Sequence, residues 1–256
     1  MADTGYYFYA ISRGLDPDVL NTEVGIEQAA LQLVKHQDLG AVVSHVSLQD
    51  FGEEGLRRNL EDLAWLESVA VTHDRVARFC AERATTAPLR MATVFLSEDA
   101  VREQLAQWYD RAEEVLNRIE GRSEWSVKAY ADPAAPAETG GDEPPETMGE
   151  GMAYLLRRRT EAQRRESTAQ ADAEAAQAIH DLLSNHAVAG RQLRPQDRQL
   201  TGHTGEMILN GTYLVDQGRV DEFLDTVAAL RSEHPGVRVE HGGPWPPYSF
   251  ATLEPE

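Results

Sequence analysis

The spacing of apolar and polar positions divides the chain into alternating strand and helix segments. Tyr6 to Ile11 is an aromatic and β-branched run closed by Gly14 and Pro17, which predicts a first strand. Ala29–Lys35 and Gly40–Val46 follow as strand-like runs meeting across Gln37-Asp38-Leu39, as a hairpin does. Leu63, Leu66, Ala70, His73, Ala77 and Cys80 then recur at helical spacing and predict one apolar helix face. Pro88 ends that region, and Leu89–Leu96 is a mostly apolar run suited to a buried strand.

The next helix carries its own boundary signals. Ser97 is a natural N-cap, and Glu98 and Asp99 place negative charge where the helix dipole favours it. Val101, Leu105, Trp108, Ala112, Val115 and Ile119 form the buried face, and Gly121 suits the C′ position. Such a helix is about 35 Å long. Trp125–Tyr130 returns as a strand in which Trp125, Val127 and Ala129 alternate with Ser126 and Lys128.

Composition then changes. No Lys or Arg occurs between Ala129 and Leu156, while acidic residues and Pro133, Pro136, Pro144 and Pro145 accumulate. Prolines and like charges oppose regular structure there. The expected organisation is an N-terminal α+β domain at 1–131, an acidic Pro-rich linker at 132–147, and a C-terminal α+β domain at 148–256. Within the last, Met148–Ser184 reads as a helix with a thin stripe of Ala169, Ala173, Ala176, Ile179 and Leu183. Glu206–Val215 reads as a strand, Arg219–Arg231 as a helix and Val237–Glu240 as a final strand. A shift of 119 positions superimposes Thr93-Val94-Phe95 on Thr212-Tyr213-Leu214 and Ser97 on Asp216, which suggests two related halves.

Charge narrows the partners. The 256 residues carry a formal net charge of −19, with Lys35 and Lys128 as the sole lysines. That excess repels nucleic acid and anionic lipid. No apolar run approaches the roughly 18 residues of a spanning helix, so no membrane association is expected. A single cysteine, Cys80, rules out an internal disulfide and suits a cytoplasmic location.

Chemistry is sparse. The chain has no phosphate loop, dinucleotide fingerprint, nucleophile elbow or zincin motif. Its eight histidines fall in no metal-ligand spacing, so neither a metal nor another cofactor is expected, and no catalytic residue is assigned. His73, on an apolar helix face near Glu67 and Asp74, is either a satisfied core histidine or a tuned base. The partner-binding candidates are Arg90, Arg157, Arg158, Trp245, Pro246 and Tyr248. Arg90 follows Pro88-Leu89; Arg157 and Arg158 belong to a basic triplet on an acidic background; Trp245, Pro246 and Tyr248 belong to a stiff Pro-rich tail. The tail's aromatics either cap the second domain's core or offer an anchor to another chain.

Together these segments resemble the gas vesicle protein F/L family. The resemblance is carried by Tyr6–Ile11, Ala41–Ser44, Leu60–Leu66, His73, Pro88–Phe95, Glu124–Lys128 and the closing Gly243–Phe250. It spans nearly the whole chain, with the closing octapeptide and the Pro-Leu-Arg segment the most specific. Met91-Ala92 stands where the family pattern has Phe-Gly, and Glu240-His241-Gly242 departs from an apolar-Thr pattern. The resemblance implies two α+β domains, each resembling a ferredoxin-like sheet packed with helices. It further implies a non-enzymatic accessory protein of gas vesicle assembly, cytoplasmic and associated with vesicles. Its partners would be the small hydrophobic shell protein GvpA, which it would bind or chaperone, and other accessory proteins. The alternatives are a ligand-binding regulatory module or an enzyme using His73.

Overall fold

The structure, a computed structural model, describes residues 4–131, 150–196, 203, 205–234 and 236–253. The expected linker at 132–147 lies outside them. The chain divides into two compact units, Met1–Glu124 with Pro244–Glu256, and Trp125–Gly243. The tail from Pro244 therefore groups with the first unit, not with the domain to which sequence order assigns it.

In the first unit β1 (Thr4–Arg13), β2 (Leu31–His36), β3 (Leu39–Ser47) and β4 (Thr85–Pro88) form a sheet of order β2-β3-β1-β4, and β5 (Val94–Phe95) also pairs with β1. Pairing is antiparallel throughout. The β2–β3 hairpin turns at Gln37-Asp38, with Gln37 at φ 55° and His36 opposite Leu39. Short helices α1 (Leu48–Phe51) and α2 (Glu53–Asn59) lead to α3 (Leu63–Ala81). Tyr7 and Tyr9 of β1 pack with Val69, Val76 and Cys80 of α3 in one core. Strand alternation sends Phe8 to the other face, where it meets Phe95 at 5.9 Å between ring centroids.

Two expectations change here. Leu89–Leu96 is not one strand: the chain leaves β4 at Pro88 and re-forms pairing only at Val94. The helix begun by Ser97, whose side chain accepts from the Ala100 N–H, is also interrupted. It divides at Trp108 into α4 (Glu98–Gln107) and α5 (Tyr109–Ile119), with Trp108 at φ −88°, ψ 0°. Val101, Leu105, Ala112, Val115 and Ile119 are buried as expected, while Trp108 is half-buried. Gly121, at φ +66°, terminates α5 in the conformation glycine adopts without strain.

The second unit takes β6 (Arg122–Ala131) from Trp125 onward, α6 (Glu150–Asn185), β7 (Ala189–Gln192), β8 (Glu206–Asp216), α7 (Val220–Glu233) and β9 (Val237–Trp245) as far as Gly243. Its sheet order is β7-β8-β6-β9. Ile179 and Leu183 of α6 and Phe223, Val227 and Leu230 of α7 share a core with Trp125, Val127 and Ala129 of β6. Numbered within each unit, both sheets read second-third-first-fourth. The residue echo at a shift of 119 nevertheless superimposes non-equivalent strands. It matches β5, which among the described residues pairs with β1 alone, to β8, which lies between β7 and β6.

Candidate partner-binding surface

At the centre of the first unit, His73 is 3% exposed and both ring nitrogens are engaged. Nε2 lies 3.1 Å from the Leu89 carbonyl, which can only accept, so Nε2 carries the proton. Nδ1 then accepts from the Tyr7 hydroxyl at 3.0 Å, and that hydroxyl oxygen in turn accepts from the Ala92 N–H at 3.0 Å. Burial lowers the His73 pKa against the smaller opposing effects of the Leu89 carbonyl and Asp74. Burial also pushes the Cys80 thiol up to about 12. The arrangement is a satisfied core histidine that ties α3 and β1 to the Leu89–Thr93 loop. Ala92 in that loop has φ 65°, a conformation in which glycine is unstrained, and this accounts for the Gly of the family pattern.

Arg90 is exposed on this tethered loop rather than at the mouth of a strand. It lines a cavity of about 130 Å³ with Leu89, Thr93, Trp108 and Tyr248. Two of the expected partner-binding residues, Arg90 and Tyr248, thus come together.

The tail is fixed to the first unit by polar contacts that its sequence does not announce. Ser249 donates from its backbone N–H and its hydroxyl to the two oxygens of buried Glu124, at 2.8 and 2.6 Å, and Arg118 donates to the Phe250 carbonyl. Pro246 and Phe250 are buried, and the Tyr248 ring lies 6.1 Å from His73. Burial, then the Asp74 carboxylate, push the Tyr248 pKa up. Pro246 and Tyr248 are therefore packing residues of the first unit. Trp245 differs. It is 39% exposed, with the Arg78 guanidinium 4.6 Å above its ring and Arg78 paired to Asp74 at 2.9 Å.

Arg78 leads to the outer face of α3. Leu63 is 80% exposed, Val71 61%, and Ala70 is exposed as well. The expected stripe through Leu63 and Ala70 is thus turned outward at both positions. The core selects Val69, His73, Val76, Ala77 and Cys80, with Trp65 partly buried against it. α3 carries more apolar residues than its contact with the sheet can cover, and the surplus lies in solvent. A groove of about 580 Å³ has Ala70, Val71 and Phe79 as its apolar lining and Glu23, Arg75 and Glu82 among its charged residues. Arg75 is held by Glu23 and donates to the Val24 carbonyl at 2.9 Å. Spacing places Leu63 on the inward face and passes over Val71 and Arg78; for Val71 the signal is the excess of apolar positions over one helical face.

Arg157 and Arg158 belong to α6 of the second unit. Arg158 is exposed, and the Arg157 side chain lies outside the described part. Among the described residues no cluster of three or more His, Cys, Asp or Glu could hold a metal ion. No described helix is long and apolar enough to cross a membrane.

The family profile described as "Gas vesicle synthesis protein GvpL/GvpF" matches residues 5–252. The chain belongs to the GvpL/GvpF gas vesicle family. It is 40% identical over 252 residues to Gas vesicle protein L of a Streptomyces species, covering 98% of this chain and 94% of that one. Identity to Gas vesicle protein L1 of Halobacterium salinarum is 24% over 266 residues, covering 96% and 90%. The fold is that of GvpF from Anabaena sp., with a TM-score of 0.70 at 20% identity, covering 98% of this chain and 97% of that one. GvpF from Microcystis aeruginosa gives a TM-score of 0.67 at 19% identity, covering 97% and 99%. Membership in this family makes the chain a protein of gas vesicle formation.

Proposed function

We propose that this chain is a non-enzymatic accessory protein that binds the small hydrophobic shell protein GvpA before assembly, in the cytoplasm, and delivers it with other accessory proteins to the growing vesicle. The observation carrying this reading is the outward apolar stripe of α3, Leu63, Ala70 and Val71, with Trp245 held nearby by Arg78. An apolar strip covers the aggregation-prone surface of a client, and a net charge of −19 keeps the loaded complex in solution. The ion pairs along the groove orient a client without supplying much of the affinity. Each unit, with its second-third-first-fourth strand order and helices between strands, is read as a ferredoxin-like module.

The test is co-expression with the shell protein and co-purification at low and moderate salt. A soluble complex that persists at both salts, and that Val71→Asp and Trp245→Ala weaken while the chain stays folded, is expected. No complex at either salt, or variants that retain the shell protein as well as the wild type, would overturn the reading.

A further inference from the structure

The first half of α6 buries no side chain among the described residues. At 1.5 Å per residue its 36 residues extend about 54 Å, yet the buried residues, Ala176, Ile179 and Leu183, all lie in the last third. Met152, Tyr154 and Leu155 are 59–62% exposed, and every residue from Arg158 to Ala171 is exposed. In proteins most helical stability comes from packing of an apolar face rather than from propensity. Apolar residues at the free end require a cover.

The charge along α6 indicates its identity. Residues 158–165 hold four arginines and one glutamate, a balance of +3. Residues 166–185 hold Glu166, Asp172, Glu174 and Asp181 with no Lys or Arg, a balance of −4. The helix reverses sign about its midpoint, near Thr168. A two-fold contact must be self-complementary, and an antiparallel pair of such helices is so: each basic half lies on the other's acidic half. A parallel pair would set like charges together. The acidic half is open to a neighbour, since Ala173, Glu174, Ala178 and Asp181 are exposed on the side away from Ile179 and Leu183.

We infer that two copies of this chain associate through α6, paired antiparallel, with Met152 and Leu155 of each copy laid on the exposed alanines of the other's acidic half. This surface is separate from the α3 stripe, so its test is independent of shell-protein binding.

The experiment is sedimentation velocity on the full chain from about 1 to 100 µM at low and high salt. The wild type is expected to shift from monomer to dimer over that range, more weakly at high salt. Leu155→Asp should raise the dissociation constant at least tenfold. So should the pair Arg158→Glu with Arg159→Glu, and separately the pair Glu174→Arg with Asp181→Arg. Mixing the two charge-reversed proteins should restore association, because each half then meets its opposite; a mere loss of folding cannot produce that rescue. A wild type that stays monomeric throughout, reversals that leave dimerisation unchanged, or a mixture that fails to associate would overturn the inference. A monomer whose Leu155→Asp variant loses the shell protein would likewise overturn it, giving this surface to that client.

Discussion

Removing one oxygen atom from the core should loosen both the first unit and the loop that carries Arg90. In Tyr7→Phe the ring keeps its packing against Phe51 and Tyr9, so the cavity term is small. What is lost is the hydroxyl that donates to His73 Nδ1 and accepts from the Ala92 N–H. A buried polar atom left without a partner costs about 1–3 kcal/mol. His73 is almost fully buried, so Nδ1 bears the middle of that range, about 2 kcal/mol. Ala92 is half-exposed, so water recovers part of its loss and the low end, about 1 kcal/mol, applies. The sum, about 3 kcal/mol, corresponds to a fall in Tm on the order of 6–12 °C for a chain of this length. Urea denaturation gives the total, and hydrogen exchange at the Ala92 amide reports the loop. A loss under about 0.5 kcal/mol with unchanged exchange at Ala92 would refute the relay as a structural tie.

Three further outcomes follow from the same unit. Ala92→Gly should stabilise the protein by about 1 kcal/mol in urea denaturation, since relief of about 1–2 kcal/mol at φ 65° exceeds the entropy glycine adds to the unfolded chain; a destabilised variant would contradict this. His73 has a lowered folded pKa, so below the unfolded value of about 6.5 the unfolded state binds the proton more readily. Its contribution is complete above that value and is lost as pH falls through the folded pKa. The stability gap between wild type and His73→Gln should therefore narrow on acidification, and a gap that widens would contradict the assignment. Glu124→Ala should cost about 2–3 kcal/mol by removing both acceptors of Ser249 and should expose the tail to limited proteolysis; a tail as resistant as in the wild type would contradict the clamp.

Local patterning reveals much of this fold because apolar runs and capping are themselves local. Tyr6–Ile11 is a continuous aromatic and apolar run because β1 is buried on both faces, and Ser97 caps because the first turn of α4 leaves N–H groups without helical partners. The features that escape the sequence are settled over long distances. Nothing near Trp108 marks a helix break, and Leu89–Thr93 reads as a strand although it is a loop, with Leu89 buried and Met91 partly buried, tethered to residues 7 and 73. α3 offered a choice of apolar faces, and only the sheet decided which would turn inward. The tail's aromatics were legible as a core cap or an anchor to another chain; their destination depended on Glu124, which lies 125 residues before Ser249.

That separation bears on how the chain is made. Glu124 leaves the ribosome long before Ser249 exists, and at roughly 5–20 residues per second the interval is on the order of ten seconds. During it the first unit, although synthesised first, lacks the segment that closes over Glu124, Arg118 and His73. Translation must pass Phe250 before that unit can be sealed, so a message cut short upstream of it yields an unfinished N-terminal unit rather than a finished one missing its neighbour.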